Sequence, residues 1–449
     1  MTTSLAAPEV VGPASTDELR RRTPWLLGLL CLLNGILPSY VVPPGPLKSN
    51  GSPAKVIAIG LLFLVALGVV FVRRSGRTPR LRLGLVFLSG YFVAMLAIYG
   101  VGISHTDTPV VEATKTREFI ILLANFGVAT YTMIRIKTAR QRYFVLGAAA
   151  IGLTFNCVVG LLQHSTLIDL HLLFKPPGFV LTDTNEYLKT GASLEDRFGS
   201  TRAVGTTLHA IEFSVLAAVA VPLTLHFARF GRTGWIRLAA IMAAVVALVS
   251  IPAGVTRTGV VALAVSLLIY AWAFKVRELF TAALLGGVAL GVEFLVSPGT
   301  IDAIVRTVTN ADEDPSVLAR VADYGRVAAT FRAHPIFGLG LGGAPPSEYG
   351  FLDNQWLQAL VQGGIIGVAG MLVLAVGAVF GVAGALRSAA DRRQRDLAFA
   401  MGAMLMSILA SSATFDLFTF QQATLLFFVL YGLVWSNYDV AFPEPKGSG

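Results

Sequence analysis

The sequence holds only two cysteines, Cys31 and Cys157, and both sit inside apolar stretches. That excludes a disulfide framework and a cysteine-based metal centre. Charge is scarce too: Asp, Glu, Lys and Arg make up 14% of the 449 residues, against about 25% in an ordinary soluble domain. With 55% hydrophobic residues and a mean hydropathy of +0.70, a soluble globular enzyme is excluded, because a fold of this length cannot hide so much apolar surface from water. Acidic residues are fewer than basic ones, 26 against 35, for a formal net charge of +9. In so apolar a chain that excess reports first on membrane sidedness, and no nucleic-acid partner is read from it.

What is present is a series of long apolar runs with little or no charge. A bilayer core of about 30 Å needs about 20 apolar helical residues. Twelve segments meet that need: 25–42, 54–72, 82–101, 118–134, 143–164, 208–228, 235–255, 258–274, 278–296, 353–385, 397–414 and 421–438. The polar tail that precedes the first ends in Arg20-Arg21-Arg22, and only Pro43-Pro44-Gly45-Pro46 follows it, with no small-residue cleavage site. The first run therefore reads as a retained membrane helix rather than a signal peptide.

The expected class is an all-α polytopic membrane protein. Its expected order is a cytoplasmic tail (1–24), helices 1–5 (25–164), a long loop (165–207), helices 6–9 (208–296), a second long loop with an amphipathic helix (297–352), helices 10–12 (353–438) and a cytoplasmic tail (439–449). Basic residues fix the orientation, since short cytoplasmic loops are rich in Lys and Arg. With the N-terminus inside, the inward segments hold 22 of the 35 basic residues, so both termini are expected in the cytoplasm. The two long loops then face outward, and long connections of this kind tend to carry function.

Several outward residues stand out. Arg257 lies in Val255-Thr256-Arg257-Thr258-Gly259, a turn between two apolar spans. Snorkelling would explain an arbitrary arginine there, yet outward connections are otherwise poor in arginine. Arg202 precedes Ala203-Val204-Gly205-Thr206-Thr207, whose backbone N–H and hydroxyl groups suit an anion, with His209 and Glu212 beyond. In the second loop Arg320, Asp323, Tyr324 and Arg326 precede Arg332-Ala333-His334-Pro335-Ile336-Phe337-Gly338-Leu339-Gly340. Val317, Val321, Tyr324, Ala328 and Phe331 form a stripe at helical spacing, so an amphipathic helix over 316–333 is expected on the outer face. Asp353, in Asp353-Asn354-Gln355-Trp356-Leu357, is placed to cap the next helix, and the same position sets a carboxylate opposite the arginines, with Glu348 as a competitor. Arginine matches phosphate oxygens two-pronged, so the constellation calls for an anionic, membrane-bound substrate such as a polyprenyl (pyro)phosphate.

The order of these segments resembles the O-antigen ligase/polymerase family of bacterial membrane glycosyltransferases, over about residues 200–385. The likeness is carried by Arg202-Ala203-Val204-Gly205-Thr206, by Thr256-Arg257-Thr258-Gly259, and by Arg320 followed by Pro335-Ile336-Phe337-Gly338-Leu339-Gly340, Asp353-Asn354-Gln355-Trp356-Leu357 and Gly363-Gly364-Ile365-Ile366-Gly367. The resemblance implies a GT-C-like helical fold in the bacterial cytoplasmic membrane and activity without metal or other cofactor. It also implies arginines at 202, 257 and 320 on the diphosphate of a lipid-linked glycan donor. Arg326, Asn354 and His209 are further candidates for holding donor or acceptor. Ligases of the family have His where this chain has Asp353, so a polymerase becomes at least as good a reading as a ligase.

The expected reaction is inverting transfer to a sugar hydroxyl of a glycan or glycolipid acceptor, with Asp353, or Glu348, as base. The rival from another class is a transporter or flippase of lipid-linked glycans. Such proteins usually carry charges deep within their spans, and these spans are nearly free of them.

Overall fold

The computed structural model describes residues 23–45, 50–71, 82–104, 108–166, 176–181, 196–197, 200–296, 299 and 315–436. Its helices are α1 (Trp25–Ile36), α2 (Pro53–Phe71), α3 (Leu83–Gly102), α4 (Pro109–Arg135), α5 (Ala139–Thr166), α6 (Ala210–Phe230) and α7 (Gly234–Ala253). They continue as α8 (Arg257–Tyr270), α9 (Val276–Val296), α10 (Pro315–Ala333), α11 (Pro346–Tyr349), α12 (Gln355–Arg387), α13 (Arg392–Ser411) and α14 (Gln421–Trp435). A helix overlaps each of the twelve apolar segments. Among the described residues seven helices, α2 to α7 and α12, are long and apolar enough to cross a membrane, and α1, α8 and α14 are shorter apolar helices. The chain is thus a mostly helical, multi-pass membrane protein. The N- and C-terminal tails, most of the first long loop and residues 300–314 of the second lie outside the described residues.

Two small antiparallel strand pairs accompany the bundle. Val41–Val42 after α1 pairs with Val180–Leu181 of the first long loop, and Asp196–Arg197 pairs with Ser200–Thr201. The first apolar run is therefore not one helix to residue 42: it stops at Ile36, and the chain turns through Leu37-Pro38 into a strand.

The centre of the bundle is α14. Every residue from Gln421 to Trp435 is buried, as expected for a helix that is apolar all round. Its N-terminus needs partners for the N–H groups of its first turn, and Glu212 of α6, itself fully buried, supplies them. One Glu212 carboxylate oxygen accepts from Gln422 N (2.8 Å) and Ala423 N (3.0 Å), and the other from Leu208 N (3.2 Å). The Gln422 side chain donates in turn to the Thr206 carbonyl (3.0 Å), while Asn34 of α1 donates to the Gln422 carbonyl (2.9 Å). One buried carboxylate thus ties α6 to α14, and the amides around it bring in α1.

The opposite end of the bundle has its own polar clamp. His226 Nδ1 lies 2.6 Å from Asp396 Oδ1 and its Nε2 lies 3.2 Å from the Tyr143 hydroxyl; Tyr270 donates to Asp396 (2.8 Å). Arg229 reaches both Asp396 and Glu278, and Arg392 also pairs with Glu278 (2.6 Å). The clamp joins α5, α6, α8, α9 and α13. Arg229 and Arg392 therefore hold helices together.

The long segment 353–385 is not one helix. Within α12 the backbone at Gly364 leaves helical geometry, with φ 55 and ψ −144. The bonds that a continuous helix would form from Ile365 N to Val361 O and from Ile366 N to Gln362 O are replaced by bonds to the glycine-rich loop. Leu339 N donates to Val361 O and Gly340 N to Gln362 O (2.9 Å each), while Ile365 N donates to Pro335 O (2.9 Å) and Ile366 N to Ile336 O (3.2 Å). A break among apolar helices is tolerable only when the freed backbone groups are re-satisfied inside the protein. Pro335-Ile336-Phe337-Gly338-Leu339-Gly340 does this, and a Cβ at Gly340 would come within 2.4 Å of Gly102 Cα.

Candidate functional site

The site is built at the end of the bundle where α14 begins. Between α7 and α8 the chain reverses in Pro252-Ala253-Gly254-Val255-Thr256. Val255 adopts φ 45, a left-handed conformation that costs a β-branched residue about 1–3 kcal/mol, and it is fully buried. A Cβ on Gly254 would stand 2.0 Å from Ser214 Oγ of α6, and one on Gly259 would stand 2.5 Å from Ser214 Cβ. Thr256 caps α8 by accepting from Gly259 N (3.1 Å). The Thr-Arg-Thr-Gly motif is thus a cap, an arginine at the first helical position and a glycine that lets α8 sit against α6.

Arg202 is brought to the same turn. Its Nε donates to Gly254 O (3.3 Å) and Ala203 N donates to Ala253 O (2.8 Å), so the Arg202 segment docks three residues before Arg257. Arg202 is buried and Arg257 partly buried. A helix N-terminus repels a guanidinium and attracts an anion, so an arginine at the start of α8 beside a second arginine makes a local concentration of positive potential. The adjoining Gly-Thr-Thr segment does not add free donors to it. Gly205 N donates to Gln163 Oε1 and Thr206 N to Asn156 Oδ1 (2.7 Å each), the Thr206 hydroxyl to Gly35 O (2.8 Å) and the Thr207 hydroxyl to Val204 O (2.7 Å). These groups lock the loop to α1 and α5.

The acidic side of the site differs from the sequence reading in one respect. Asn354, not Asp353, caps α12: its Oδ1 accepts from Trp356 N (2.9 Å) and Leu357 N (3.2 Å). The sequence offers two adjacent capping residues, and only the backbone path decides between them. Asp353 is the residue before the cap. His209 likewise caps α6, its Nδ1 accepting from Ile211 N (3.1 Å).

The loop between α13 and α14 folds over the start of α12. Gln355 N donates to Ser412 O (2.9 Å), Phe418 N to Gln355 Oε1 (2.7 Å) and Trp356 Nε1 to Ser412 Oγ (3.1 Å). This brings Asp416 within electrostatic range of Asp353 and of Glu118 of α4. Loss of solvent, followed by the charges of Glu118 and Asp353, pushes the Asp416 carboxyl up to about 7, against the opposing hydrogen bond from Thr419 and the Arg117 charge. Sequence reasoning passed over Asp416. Its only signal was an acidic residue in a short connection between two apolar spans.

The second loop contributes less directly. The exposed Glu348 accepts from the Thr108 hydroxyl (2.5 Å), which fastens α11 to the start of α4. Arg326 donates to the Tyr349 carbonyl and to Asp323, with its guanidinium 5.0 Å from the Tyr349 ring centre. It braces α10 against α11. The inward face of α10 carries Asp323 and Val327, the latter packed with Ala344, Leu352 and Val361. Tyr324 and Ala328 of the expected apolar stripe are exposed, on a different face of the helix from Asp323 and Val327. Arg320 lies within α10, and its side chain is outside those described.

Among the described residues no three or more of His, Cys, Asp and Glu gather where they would hold a metal ion. The site combines two arginines at a strained turn with Asp416, whose carboxyl feels the charges of Glu118 and Asp353. No curated protein matches the chain. Residues 242–372 match the family model described as O-antigen ligase; they hold the Arg257 turn, the glycine-rich loop, Asp353 and the break in α12. Over this segment the chain is similar to the O-antigen ligase family.

Proposed function

We propose that the protein transfers or polymerises a glycan, taking it from a polyprenyl-(pyro)phosphate carrier to a sugar hydroxyl at the outer face of the cytoplasmic membrane. The observation that carries this reading is the docking of Arg202 on the turn that presents Arg257 at the N-terminus of α8. That arrangement suits a diphosphate: two guanidinia and a helix N-terminus all favour negative charge. Arg320 is the third arginine of the proposal.

In the proposed reaction the acceptor hydroxyl oxygen attacks the anomeric carbon as the bond from that carbon to the diphosphate oxygen breaks. The hydroxyl proton passes to Asp353, and the electron pair leaves with the lipid diphosphate. Charge developing on the leaving group is balanced by Arg202, Arg257 and Arg320. Asp353 is preferred to Glu348 because Glu348 is exposed and held by Thr108.

The test is reconstitution of the purified protein in liposomes with a lipid-linked oligosaccharide and an acceptor glycan, scoring new glycosidic bonds and released lipid diphosphate. Arg257→Ala is expected to lower turnover by about 10²-fold or more, and Asp353→Asn by about 10²–10⁴-fold. Movement of the lipid-linked glycan across the bilayer with no new bond would overturn the enzyme reading in favour of a flippase.

A further inference from the structure

Thr258 is the second residue of α8, directly after Arg257, and is 4% exposed. Its neighbours in the turn are already bonded. Thr256 Oγ1 accepts from Gly259 N (3.1 Å), while Ala253 O and Gly254 O accept from Ala203 N (2.8 Å) and Arg202 Nε (3.3 Å). Among the described residues nothing pairs with the Thr258 hydroxyl, and no group accepts from its backbone N–H. Two donors of one nearly buried residue thus stand without an acceptor at the positive end of a 14-residue helix. Polar groups buried in this state cost about 1–3 kcal/mol each.

Packing brings the same residue toward the second half of the site. Ser407 of α13 donates to Ala262 O (3.0 Å) and Tyr270 donates to Asp396 (2.8 Å), so α8 and α13 run antiparallel in a fixed register. One turn back from Ala262 lies Thr258, and one turn on from Ser407 lies Ser411, each on the same face of its helix. Ser411 ends α13, and its buried hydroxyl also lacks a partner among the described residues. The next residue, Ser412, accepts from Gln355 N (2.9 Å), two residues beyond Asp353. Thr258 therefore adjoins the arginine turn on one side and, through the end of α13, the segment that carries the proposed base on the other.

We propose that the Thr258 N–H and hydroxyl bind an oxygen of the lipid-linked donor's diphosphate, alongside Arg202 and Arg257. The inference rests on the glycosyltransferase reading above. The groups at the turn select the ligand class. Thr258 offers two donors, Arg202 and Arg257 are cationic, and the turn carbonyls already hold partners. A phosphate oxygen, which only accepts and carries negative charge, answers all of these at once. A neutral sugar hydroxyl would leave the arginine charge unbalanced, and an alkyl chain would satisfy neither donor. One oxygen at the helix end is enough, so nothing larger enters the packed seam between α8 and α13.

The experiment uses the full chain in phosphatidylcholine nanodiscs and measures binding of undecaprenyl diphosphate by microscale thermophoresis. The unaltered protein is expected to bind it. Thr258→Val keeps the shape and the N–H but removes the hydroxyl, and its Kd should rise about tenfold, the worth of about 1.4 kcal/mol. Because that hydroxyl has no partner in the free protein, its removal should not lower the melting temperature. Thr258→Ser, which restores the hydroxyl, should recover most of the affinity. If Thr258→Val does not fold, Thr258→Ala is compared with Thr258→Ser in the same way. The proposal is overturned if Thr258→Val binds as tightly as the unaltered protein. It is also overturned if phosphatidylglycerol or inorganic pyrophosphate displaces the polyprenyl diphosphate at equal concentration, since the ligand would then be a bulk-lipid headgroup or a free phosphate. Affinity that depends on Thr258 in a protein that forms no glycosidic bond would overturn the transferase reading alone. Transfer with an unchanged donor KM in Thr258→Val would overturn the role of Thr258 alone.

Discussion

If the turn from Pro252 to Thr256 sets the position of Arg257, then the space that only Gly254 leaves free should control activity from a distance. In Gly254→Ala the new Cβ would lie 2.0 Å from Ser214 Oγ, whereas ordinary contact begins at 3.4 Å. The turn and α6 would have to separate by about 1.4 Å. Overpacking of this kind costs about 1–3 kcal/mol of stability, and a misplacement of about 1 Å at a reacting centre costs about 10²-fold in rate. Ser214→Ala removes the offending oxygen and loses only a hydrogen bond within its own helix, from Ser214 Oγ to Ala210 O (2.9 Å). In the double variant the next neighbours of the added methyl at position 254 would be Ala210 O at 3.2 Å and the Cβ at position 214 at 3.4 Å, both tolerable with small adjustment. Glycan transfer in proteoliposomes and thermal unfolding in detergent, measured across the cycle, should show Ser214→Ala near the unaltered protein and Gly254→Ala impaired in both assays. The double variant should recover most of the loss, with a coupling of about 1–3 kcal/mol. A double variant no better than Gly254→Ala would refute the claim that contact with Ser214 fixes this turn.

Glu212→Ala should lower thermal stability well beyond Glu212→Gln, because alanine strands three buried N–H groups whereas glutamine keeps an acceptor for Gln422 and Ala423; equal melting temperatures for the two variants would contradict the capping role. Asp416 gives a pH signature. Its carboxyl is raised from 3.8 to about 7 in the folded protein, so its contribution to stability is fully present below pH 3.8 and is lost as pH rises through about 7, where the folded state at last gives up the proton. Unfolding titrations should therefore show a smaller decline across that window in Asp416→Asn, and an unchanged slope would remove Asp416 from this role.

The break in α12 shows where reading the chain stops. Residues 363–385 are apolar throughout, and the Gly363-Gly364 pair gives no local sign that the backbone bonds there belong to a loop more than twenty residues earlier. The same limit applies to Asn354 against Asp353. Gly205 and Thr206 looked like donors for an anion because their actual partners, Gln163, Asn156 and Gly35, lie far away in sequence.

The apolar runs determined by themselves that the chain is helical and membrane-embedded, since transfer of such segments out of water depends on composition and length alone. The motifs also marked Arg202, Arg257 and Asp353 as residues of interest. Only the tertiary structure decided that Arg202 docks on the Arg257 turn, that the loop before α14 is bonded to the start of α12, and that Glu212 starts the central helix. Those relations rest on hydrogen bonds and close approaches between segments tens to hundreds of residues apart. No local pattern encodes which partner satisfies a buried polar group, because that choice is made only when the helices pack.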